Sequence, residues 1–269
     1  MRDPREVRLL RRLLPVGTDF RLAELCEQTG IGSNELPIFI EDLQQCGFIF
    51  HRTEQTIGIL KEPELLVPEM ILAGVHTERI GREVLVFRET SSTNDRVRQA
   101  GVAGAGEGLV IFAENQTGGR GTHGRKWLSA EGIGLLFSIL LRARFPVSQW
   151  PQLVQIAAVA CAEVIEKWVQ QTVEIKPPND LMLGGGKLAG FLLETSNTWS
   201  FQVLGIGLNV RSAPVIDRYP TAAIEQFTRN RVSRAALAAQ LLNHFEKWYL
   251  KRSLPEMCSA FERRIKSKT

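Results

Sequence analysis

The sequence predicts an α+β protein built from two parts that differ in their pattern of secondary-structure elements. Roughly the first 60 residues hold three short amphipathic helical patterns and then a β-hairpin pattern. From Val84 onward, apolar runs of strand length alternate with helical segments, which predicts a mixed sheet with flanking helices. We therefore expect a small module at residues 1–64, a linker at 65–80 and a larger domain at 81–269.

The N-terminal module has the element order of a winged helix-turn-helix. Apolar residues recur on one face of residues 5–14, which predicts a helix. Residues 21–29 predict a second helix that ends at Gly30, since glycine readily takes the left-handed conformation found at helix C-termini. A third helix follows in ELPIFIEDLQQCG, with Ser33 or Asn34 as its expected N-cap. The next segment, FIFHRTEQTIGIL, predicts two strands around a turn.

The charge of this module argues against DNA as its partner. Residues 1–67 carry 8 Lys/Arg and 11 Asp/Glu, a net charge of −3, whereas residues 68–269 carry 25 and 18, a net charge of +7. A helix that reads DNA needs cations facing phosphates, but the third helix carries Glu35, Glu41 and Asp42 and no Lys or Arg. We expect no sequence-specific DNA complex; the alternative is a regulatory module that packs on another protein surface.

Composition excludes several classes of protein. The four cysteines form no C-x-x-C pair and the four histidines do not cluster with them, which disfavours a disulfide framework or a zinc site. The N-terminal segment MRDPREVRLLRRLL carries charges throughout, unlike a signal peptide. The longest strongly apolar stretch, GIGLLFSILL, has ten residues, too few to span a bilayer. We expect a cytoplasmic protein with reduced thiols and no membrane partner.

The larger domain is expected to contain six strands and four helices. The strands are predicted at 84–87, 109–114, 134–142, 173–175, 188–195 and 201–210. The helices are predicted at about 93–101 and 150–170, with two more after about residue 233.

The stretch QTGGRGTHGRKW, residues 116–127, directly follows the strand LVIFAE. Its glycines let the backbone approach a ligand closely and adopt positive φ. Arg120, Arg125 and Lys126 can, with backbone N–H groups, neutralise a carboxylate and a phosphate together. The alternative is a solvated loop with incidental charge. The pattern matches neither the P-loop nor the dinucleotide-binding fingerprint.

Four further clusters carry polar groups at strand ends or helix starts. EIKPPND places Lys176 at a strand end, with Asp180 available for Mg²⁺ or for an amine. GGGKLAG predicts a tight hairpin with Lys187, and Gly190 inside the strand indicates close packing against its backbone. TSSTND offers hydroxyl and amide groups, and GIGLNV ends in Asn209. Each also has a plain structural reading as a turn, a hairpin, a helix cap or a strand end.

Taken in order, these motifs resemble those of the biotin–protein ligases. The carrying patterns are S-T-N, E-x-Q-x-x-G-R-G-x-x-G-R-x-W, K-x-P-N-D, G-K-L-A-G and G-I-G-x-N-V, and the resemblance spans about residues 1–265. The N-terminal module resembles that of the bifunctional biotin ligase/repressors. The resemblance implies a catalytic domain of the class II aminoacyl-tRNA-synthetase/biotin ligase type. It implies activation of biotin by ATP to biotinyl-5′-AMP, with Mg²⁺, transfer to a lysine of a biotin carboxyl carrier protein, and a homodimer.

The resemblance also assigns roles to individual residues. Catalytic roles fall to Lys176, Arg120 and Asp180, with Lys176 bridging the biotin carboxylate and the α-phosphate and Asp180 as the Mg²⁺ ligand. Biotin or biotinyl-AMP binding is implied for Ser92, Thr93, Asn94, Gln116, Gly119, Arg120, Gly121, Thr122, Lys176 and Gly190. Nucleotide binding is implied for Arg125, Lys126, Trp127, Asn179, Lys187 and Asn209. The biotin tail is expected on strand walls such as Gly190 and Leu188.

Three departures from the family pattern keep other functions open. Thr122 stands where the family usually has arginine, which predicts weaker retention of biotinyl-AMP because a charge-assisted hydrogen bond is lost. Pro177 replaces the tryptophan of K-W-P-N-D. The small SH3-like domain that usually follows the last helix is lacking from the sequence as given, which stops at Thr269. The alternatives are a biotin- or adenylate-sensing transcriptional regulator with weak or no ligase activity, and a lipoate-type ligase.

Overall fold

The computed structural model describes residues 3–144, 146–216, 219–251 and 254–265. The chain divides into two units, Met1–Gly74 and Val75–Thr269. In the described part of the chain, no helix has both the length and the apolar character needed to cross a bilayer.

The first unit consists of four helices and a small antiparallel sheet. Its helices are α1 (Pro4–Leu13), α2 (Leu22–Thr29), α3 (Leu36–Gln45) and α4 (Pro68–Gly74), and its strands are β1 (Phe20–Arg21), β2 (Ile49–Arg52) and β3 (Thr56–Lys61), in the sheet order β1-β3-β2. Leu9, Leu25, Leu43 and Ile57 are buried in its core. Gly30 ends α2 at a φ of 72°, so the predicted helix end is confirmed.

The start of α3 differs from the prediction. Its N-cap residue is Glu35, and no side chain caps the helix, so the expectation that Ser33 or Asn34 caps it is wrong. The Glu35 carboxylate instead accepts a hydrogen bond from the Gly32 N–H at 3.1 Å and pairs with Arg5 at 3.1 Å. A local turn stabilised by an acidic side chain has replaced the hydroxyl or amide cap that the sequence favoured.

The second unit is built on a seven-stranded mixed sheet, which confirms the predicted α+β class. Its strands are β4 (Glu83–Thr90), β5 (Leu109–Gln116), β6 (Gly134–Leu141), β7 (Glu174–Lys176), β8 (Asp180–Leu183), β9 (Gly186–Glu194) and β10 (Gln202–Asn209). Its helices are α5 (Thr93–Val102), α6 (Gln152–Val169), α7 (Arg234–Lys251) and α8 (Leu254–Glu262). The sheet order is β4-β5-β6-β10-β9-β8-β7, with β4 and β5 parallel and the other pairs antiparallel.

Two features of this sheet position the candidate site. All eight residues of β6 are buried, so this strand forms the centre of the core. In the neighbouring strands, Asp180, Gly190 and Gly207 are paired in register across β8, β9 and β10. The row therefore presents two glycines side by side, where the sheet surface has no side chains to cover it. The hairpin between β8 and β9 turns at Gly184 and Gly185, both at positive φ, as predicted.

Strand β8 was missing from the predicted elements. Its four residues, DLML, directly follow a proline turn and were not recognised as a strand. Pairing with both β7 and β9 stabilises it, and such pairing depends on partners that are distant in the chain.

Candidate functional site

A cavity of about 990 Å³ lies in the second unit. Its walls come from the start of α5, the stretch after β5, and strands β7 to β10. The predicted site residues on its wall are Ser92, Thr93, Asn94, Gln116, Arg120, Gly121, Thr122, Arg125, Lys126, Trp127, Lys176, Asn179, Asp180, Lys187, Gly190 and Asn209. Gly119 lies behind the wall, where a Cβ would stand 2.6 Å from the Trp127 carbonyl oxygen. Leu188, expected on the wall, is fully buried in the core.

A polar cluster lies at the start of α5, and its members are Ser92, Thr93, Asn94, Gln116 and Ser138; all but Ser138 line the cavity. Ser92 is the N-cap residue of α5, but its side chain makes no capping hydrogen bond. The Thr93 N–H donates to Gln116 Oε1 at 2.7 Å, and the Ser138 hydroxyl donates to Asn94 Oδ1 at 2.6 Å. Asn94 Nδ2 is buried and has no hydrogen-bond partner among the described residues. The cluster therefore holds an amide donor whose orientation is fixed through Asn94 Oδ1 and whose own hydrogen bonds the described residues do not supply.

Ser138 of this cluster, and Gly205 beside it, were not predicted. Ser138 is a single hydroxyl residue inside the apolar strand GLLFSILL, and it is fully buried. A Cβ on Gly205 would stand 2.2 Å from Asn94 Oδ1, so only glycine leaves room for the amide. A lone serine in an otherwise apolar strand was the signal in the sequence, because a buried hydroxyl needs a polar partner.

The stretch 116–127 forms a small ordered hairpin. The Gly121 N–H donates to the Arg125 carbonyl at 2.7 Å, and the Trp127 N–H donates to the Gly119 carbonyl at 3.0 Å. The turn contains His123 at a φ of 57°, a conformation that costs energy for residues other than glycine. The backbone of this stretch is thus fixed by its own hydrogen bonds as well as by its side chains.

Trp127 lies on the glycine row of the sheet. A Cβ on Gly207 would stand 2.4 Å from Trp127 Cε2, and a Cβ on Gly190 would stand 3.0 Å from Trp127 Cζ3. The indole therefore contacts bare backbone, and the expectation of close packing at Gly190 is confirmed. Lys187 Nζ lies 5.6 Å from the centre of the Trp127 ring, a cation–π distance.

Arg120 lies on the cavity wall and is paired with two carboxylates of the protein. Its guanidinium donates to both carboxylate oxygens of Asp95, at 2.8 and 2.9 Å, and to Glu194 at 3.1 Å. The guanidinium holds the pKa of Asp95 below its usual value, while the Asp95 hydrogen bond raises the pKa of Arg120. The charge of this arginine is therefore balanced within the protein.

The two lysines predicted near phosphate differ in setting. Lys176 ends β7 and is exposed at the rim of the cavity. Lys187 Nζ is 2.7 Å from Asp180 Oδ1, and it would lie 3.5 Å from a Cβ added to Gly190 in the glycine row. Of the two, Lys187 is the more buried and the better oriented.

Asn179 and Asn209 line the cavity but use their amide groups to brace the backbone. Asn179 Nδ2 donates to the Phe191 carbonyl at 2.8 Å, and Asn209 Nδ2 donates to the Ala222 carbonyl at 3.0 Å. These bonds fix the strand ends that carry the glycine row. The segment after β10, with Ile216 and Tyr219, adds an apolar wall that no motif indicated.

Comparisons with known proteins identify the family of the chain and several relatives. A model described as the biotin/lipoate A/B protein ligase family matches residues 86–210. The "Bifunctional ligase/repressor BirA" of Bacillus subtilis is 30% identical over 234 residues, covering 83% of this chain and 70% of that protein. The "Biotin--[acetyl-CoA-carboxylase] ligase" of Mycobacterium tuberculosis is 37% identical over 138 residues, covering 49% of this chain and 51% of that protein. The structure of the biotin protein ligase from Aquifex aeolicus in complex with biotin and ATP has a TM-score of 0.61 and 26% identity, covering 68% of this chain and 78% of that one.

Proposed function

Because the chain belongs to the biotin/lipoate A/B protein ligase family, we propose that it is a biotin–protein ligase. It couples biotin to ATP, giving biotinyl-5′-AMP and pyrophosphate. It then transfers the biotinyl group to a lysine of a biotin carboxyl carrier protein, with release of AMP. A cytoplasmic location belongs to the same proposal, since ATP is a substrate.

The observation that carries this proposal is the buried Asn94 amide in the polar cluster. Its Nδ2 lacks a partner among the described residues, while its Oδ1 is held by Ser138. A buried donor without a partner is costly, and a ligand carbonyl relieves that cost. The ureido ring of biotin offers such a carbonyl together with two N–H groups. Gln116 and Thr93, which are hydrogen-bonded to each other, supply further polar atoms on the same cavity wall.

The rest of the cavity suits the activation step. An ionised carboxylate attacks the α-phosphate, so two anions must be brought together and catalysis consists largely of charge neutralisation and alignment. We assign the bridging position to Lys187, because Asp180 and the Trp127 ring orient its ammonium group. Positive charge along the same wall comes from Lys176, Arg125 and Lys126. We assign these three side chains to binding the β- and γ-phosphates of ATP.

Mg²⁺ accompanies ATP in this proposal. Among the described residues no group of three or more His, Cys, Asp or Glu could hold a metal ion by itself. Asp180 is the only carboxylate residue on the described cavity wall. One carboxylate fits an ion of this kind, since Mg²⁺ at nucleotide sites is held by one or two carboxylates together with phosphate oxygens and water. The ion supplies further neutralisation of phosphate charge when bound.

Binding to DNA and formation of a homodimer are two further proposals about partners. The Bacillus relative is named a ligase/repressor, which raises DNA binding for this chain. The exposed Glu41 and Asp42 of α3 oppose it, because they would face phosphates. We therefore consider DNA binding less well supported than the ligase activity. The same holds for a function as a biotin- or adenylate-sensing transcriptional regulator. The proposal of a homodimer rests only on the resemblance to the biotin–protein ligases.

Pyrophosphate release from biotin, ATP and Mg²⁺ tests the proposal. Turnover in the wild-type protein should depend on biotin, should fall at least about a hundredfold in Lys187→Ala, and should fall less in Lys176→Ala. Lys247→Ala, which changes an exposed lysine of α7 away from the cavity, serves as the matched control. A biotin carboxyl carrier domain added to the wild-type protein should gain the mass of one biotinyl group.

Three other outcomes are informative. Equal loss in both cavity lysine variants would assign the reaction to both residues. Tight biotin binding by calorimetry without turnover would identify a sensor built on a ligase scaffold. Neither binding nor turnover would overturn the proposal.

A further inference from the structure

A buried ion pair joins α7 to the central sheet. Arg234, the first residue of α7, donates to both carboxylate oxygens of Glu114 in β5, at 2.7 and 3.0 Å. Each of the two side chains is only 2% exposed. Glu114 opens the E-x-Q motif of the sequence, yet neither it nor Arg234 lines the cavity. The activity proposed above therefore leaves this pair without a role.

Arg234 also connects two strands at the point where their pairing ends. The register pairs between β5 and β6 end at Ala113 and Leu136, and Glu114 is the next residue of β5. The same guanidinium donates to the carbonyl of Gly134, the first residue of β6, at 3.0 Å. Beyond the last register pair, a side chain of α7 thus joins the two strands.

Both strand ends lead to residues of the cavity wall. Gln116 follows Glu114 by two residues, and its Oε1 accepts from the Thr93 N–H at 2.7 Å in the polar cluster. Gly134 pairs in register with Asn209 of β10, which lines the cavity as well. The proposed function places biotin beside Gln116 and the nucleotide beside Asn209. The contact between Glu114, Arg234 and Gly134 therefore joins the supports of the two substrate positions.

The net contribution of the ion pair to stability does not explain its presence. Two charges lose their hydration when they are buried, and apolar residues of similar volume often stabilise a core at least as well. A bidentate contact between guanidinium and carboxylate supplies a directional, fixed geometry instead. The additional hydrogen bond to Gly134 extends this geometry to a second strand.

We propose that Arg234 and Glu114 are positioning residues that fix the spacing between the biotin part and the nucleotide part of the cavity. The inference rests on the proposed function, since it concerns the alignment of the biotin carboxylate with the α-phosphate of ATP. A displacement of about 1 Å between reacting groups can cost about a hundredfold in rate. Loss of the pair should therefore lower kcat and leave the KM for each substrate nearly unchanged, because the groups that bind each substrate remain.

A charge-free replacement in the full chain separates positioning from stability. Arg234→Met combined with Glu114→Leu removes both charges and retains most of the volume, so Tm should stay within about 4 °C of the wild-type value. Pyrophosphate release is measured with biotin and ATP varied in turn. We expect kcat to fall about 10- to 100-fold and each KM to change less than about threefold.

Two single variants complete the series. Glu114→Gln removes one charge of the buried pair and should lower Tm by about 6–20 °C. Arg234→Lys keeps the positive charge but lacks the planar fork that reaches both Glu114 and Gly134, so kcat should fall about tenfold. This second variant decides the question if the charge-free protein does not fold.

Leu241→Ala is the matched control for lost stability. This buried leucine of α7 does not line the cavity, and its truncation should lower Tm by an amount similar to that of Glu114→Gln. At temperatures well below its Tm, the variant should retain the wild-type kcat.

The outcomes distinguish this inference from the proposed function. A wild-type kcat in the charge-free variant, or in folded Arg234→Lys, would overturn the inference and leave the proposed function standing. A kcat that falls as far in Leu241→Ala would also overturn it, because the rate would then follow stability. Absence of biotin-dependent turnover in the wild-type protein would overturn the proposed function, and this inference with it.

Discussion

Replacing Ser138 by alanine tests the polar cluster most directly. The Ser138 side chain is fully buried, and its hydroxyl lies 2.6 Å from Asn94 Oδ1 and 2.7 Å from Thr93 Oγ1. Alanine removes this donor and leaves the Asn94 oxygen buried without it. An unsatisfied buried polar atom costs about 1–3 kcal/mol. If the cost falls on the orientation that binds biotin, the KM for biotin rises about 5- to 150-fold.

The cost can instead fall on the folded state, so two measurements are needed. Pyrophosphate release is followed with biotin varied at saturating ATP, and thermal unfolding is recorded for the same protein. A loss of stability would lower Tm by about 2–4 °C per kcal/mol for a domain of this size. The KM for ATP should stay within about twofold, because the substitution removes no positive charge from the cavity wall. Ser196→Ala removes a half-buried hydroxyl of a residue that does not line the cavity and is the control.

An unchanged KM for biotin together with an unchanged Tm would refute the reasoning. It would mean that the Asn94 amide is not held by Ser138, or that the cluster does not bind the ligand.

Four further predictions concern other parts of the chain. Gly207→Ala places a Cβ 2.4 Å from Trp127 Cε2, so the indole must move and the KM for biotin should rise about tenfold; a near-wild-type KM contradicts this packing. Thr122→Arg restores a cation and should slow dissociation of biotinyl-AMP about 10- to 100-fold in a filter assay, whereas an unchanged off-rate would contradict the role given to position 122. The third prediction concerns pH. Arg120 lowers the pKa of Asp95 in the folded protein below 3.8, so the stabilisation that the Arg120–Asp95 ion pair gives to the folded protein is complete above that value. This stabilisation is lost as the pH falls through the lowered pKa. Hydrogen–deuterium exchange of residues 116–127, corrected for intrinsic rates, should therefore be constant from about pH 8 to pH 5. A transition near pH 6 would indicate that a histidine controls the exchange instead. An electrophoretic shift with the full chain at low salt should give no sequence-specific complex; a shifted band that survives competitor DNA would reverse this reading of the first unit.

Local patterns were sufficient to predict most of the fold. Apolar spacing with periods of 2 and 3.6 located the helices and six of the seven strands of the large sheet, and glycine marked the end of α2 and the β8–β9 hairpin. The errors lie where distant residues decide. At the start of α3, the Glu35 carboxylate accepts from the Gly32 N–H and pairs with Arg5, and no hydroxyl or amide side chain caps the helix. The short strand β8 exists because β7 and β9 flank it.

The sequence by itself determined the inventory of the candidate site. Motifs in a fixed order named the polar residues after β4, the glycine-basic stretch after β5 and the two lysines, because their chemistry and spacing are encoded locally. The tertiary structure alone decided what each group faces. It directed Arg120 to Asp95 and Glu194, laid Trp127 on Gly207, and brought Ser138 to Asn94. These contacts join residues that are far apart in the chain, and only the packing of the sheet brings them within hydrogen-bonding or van der Waals distance.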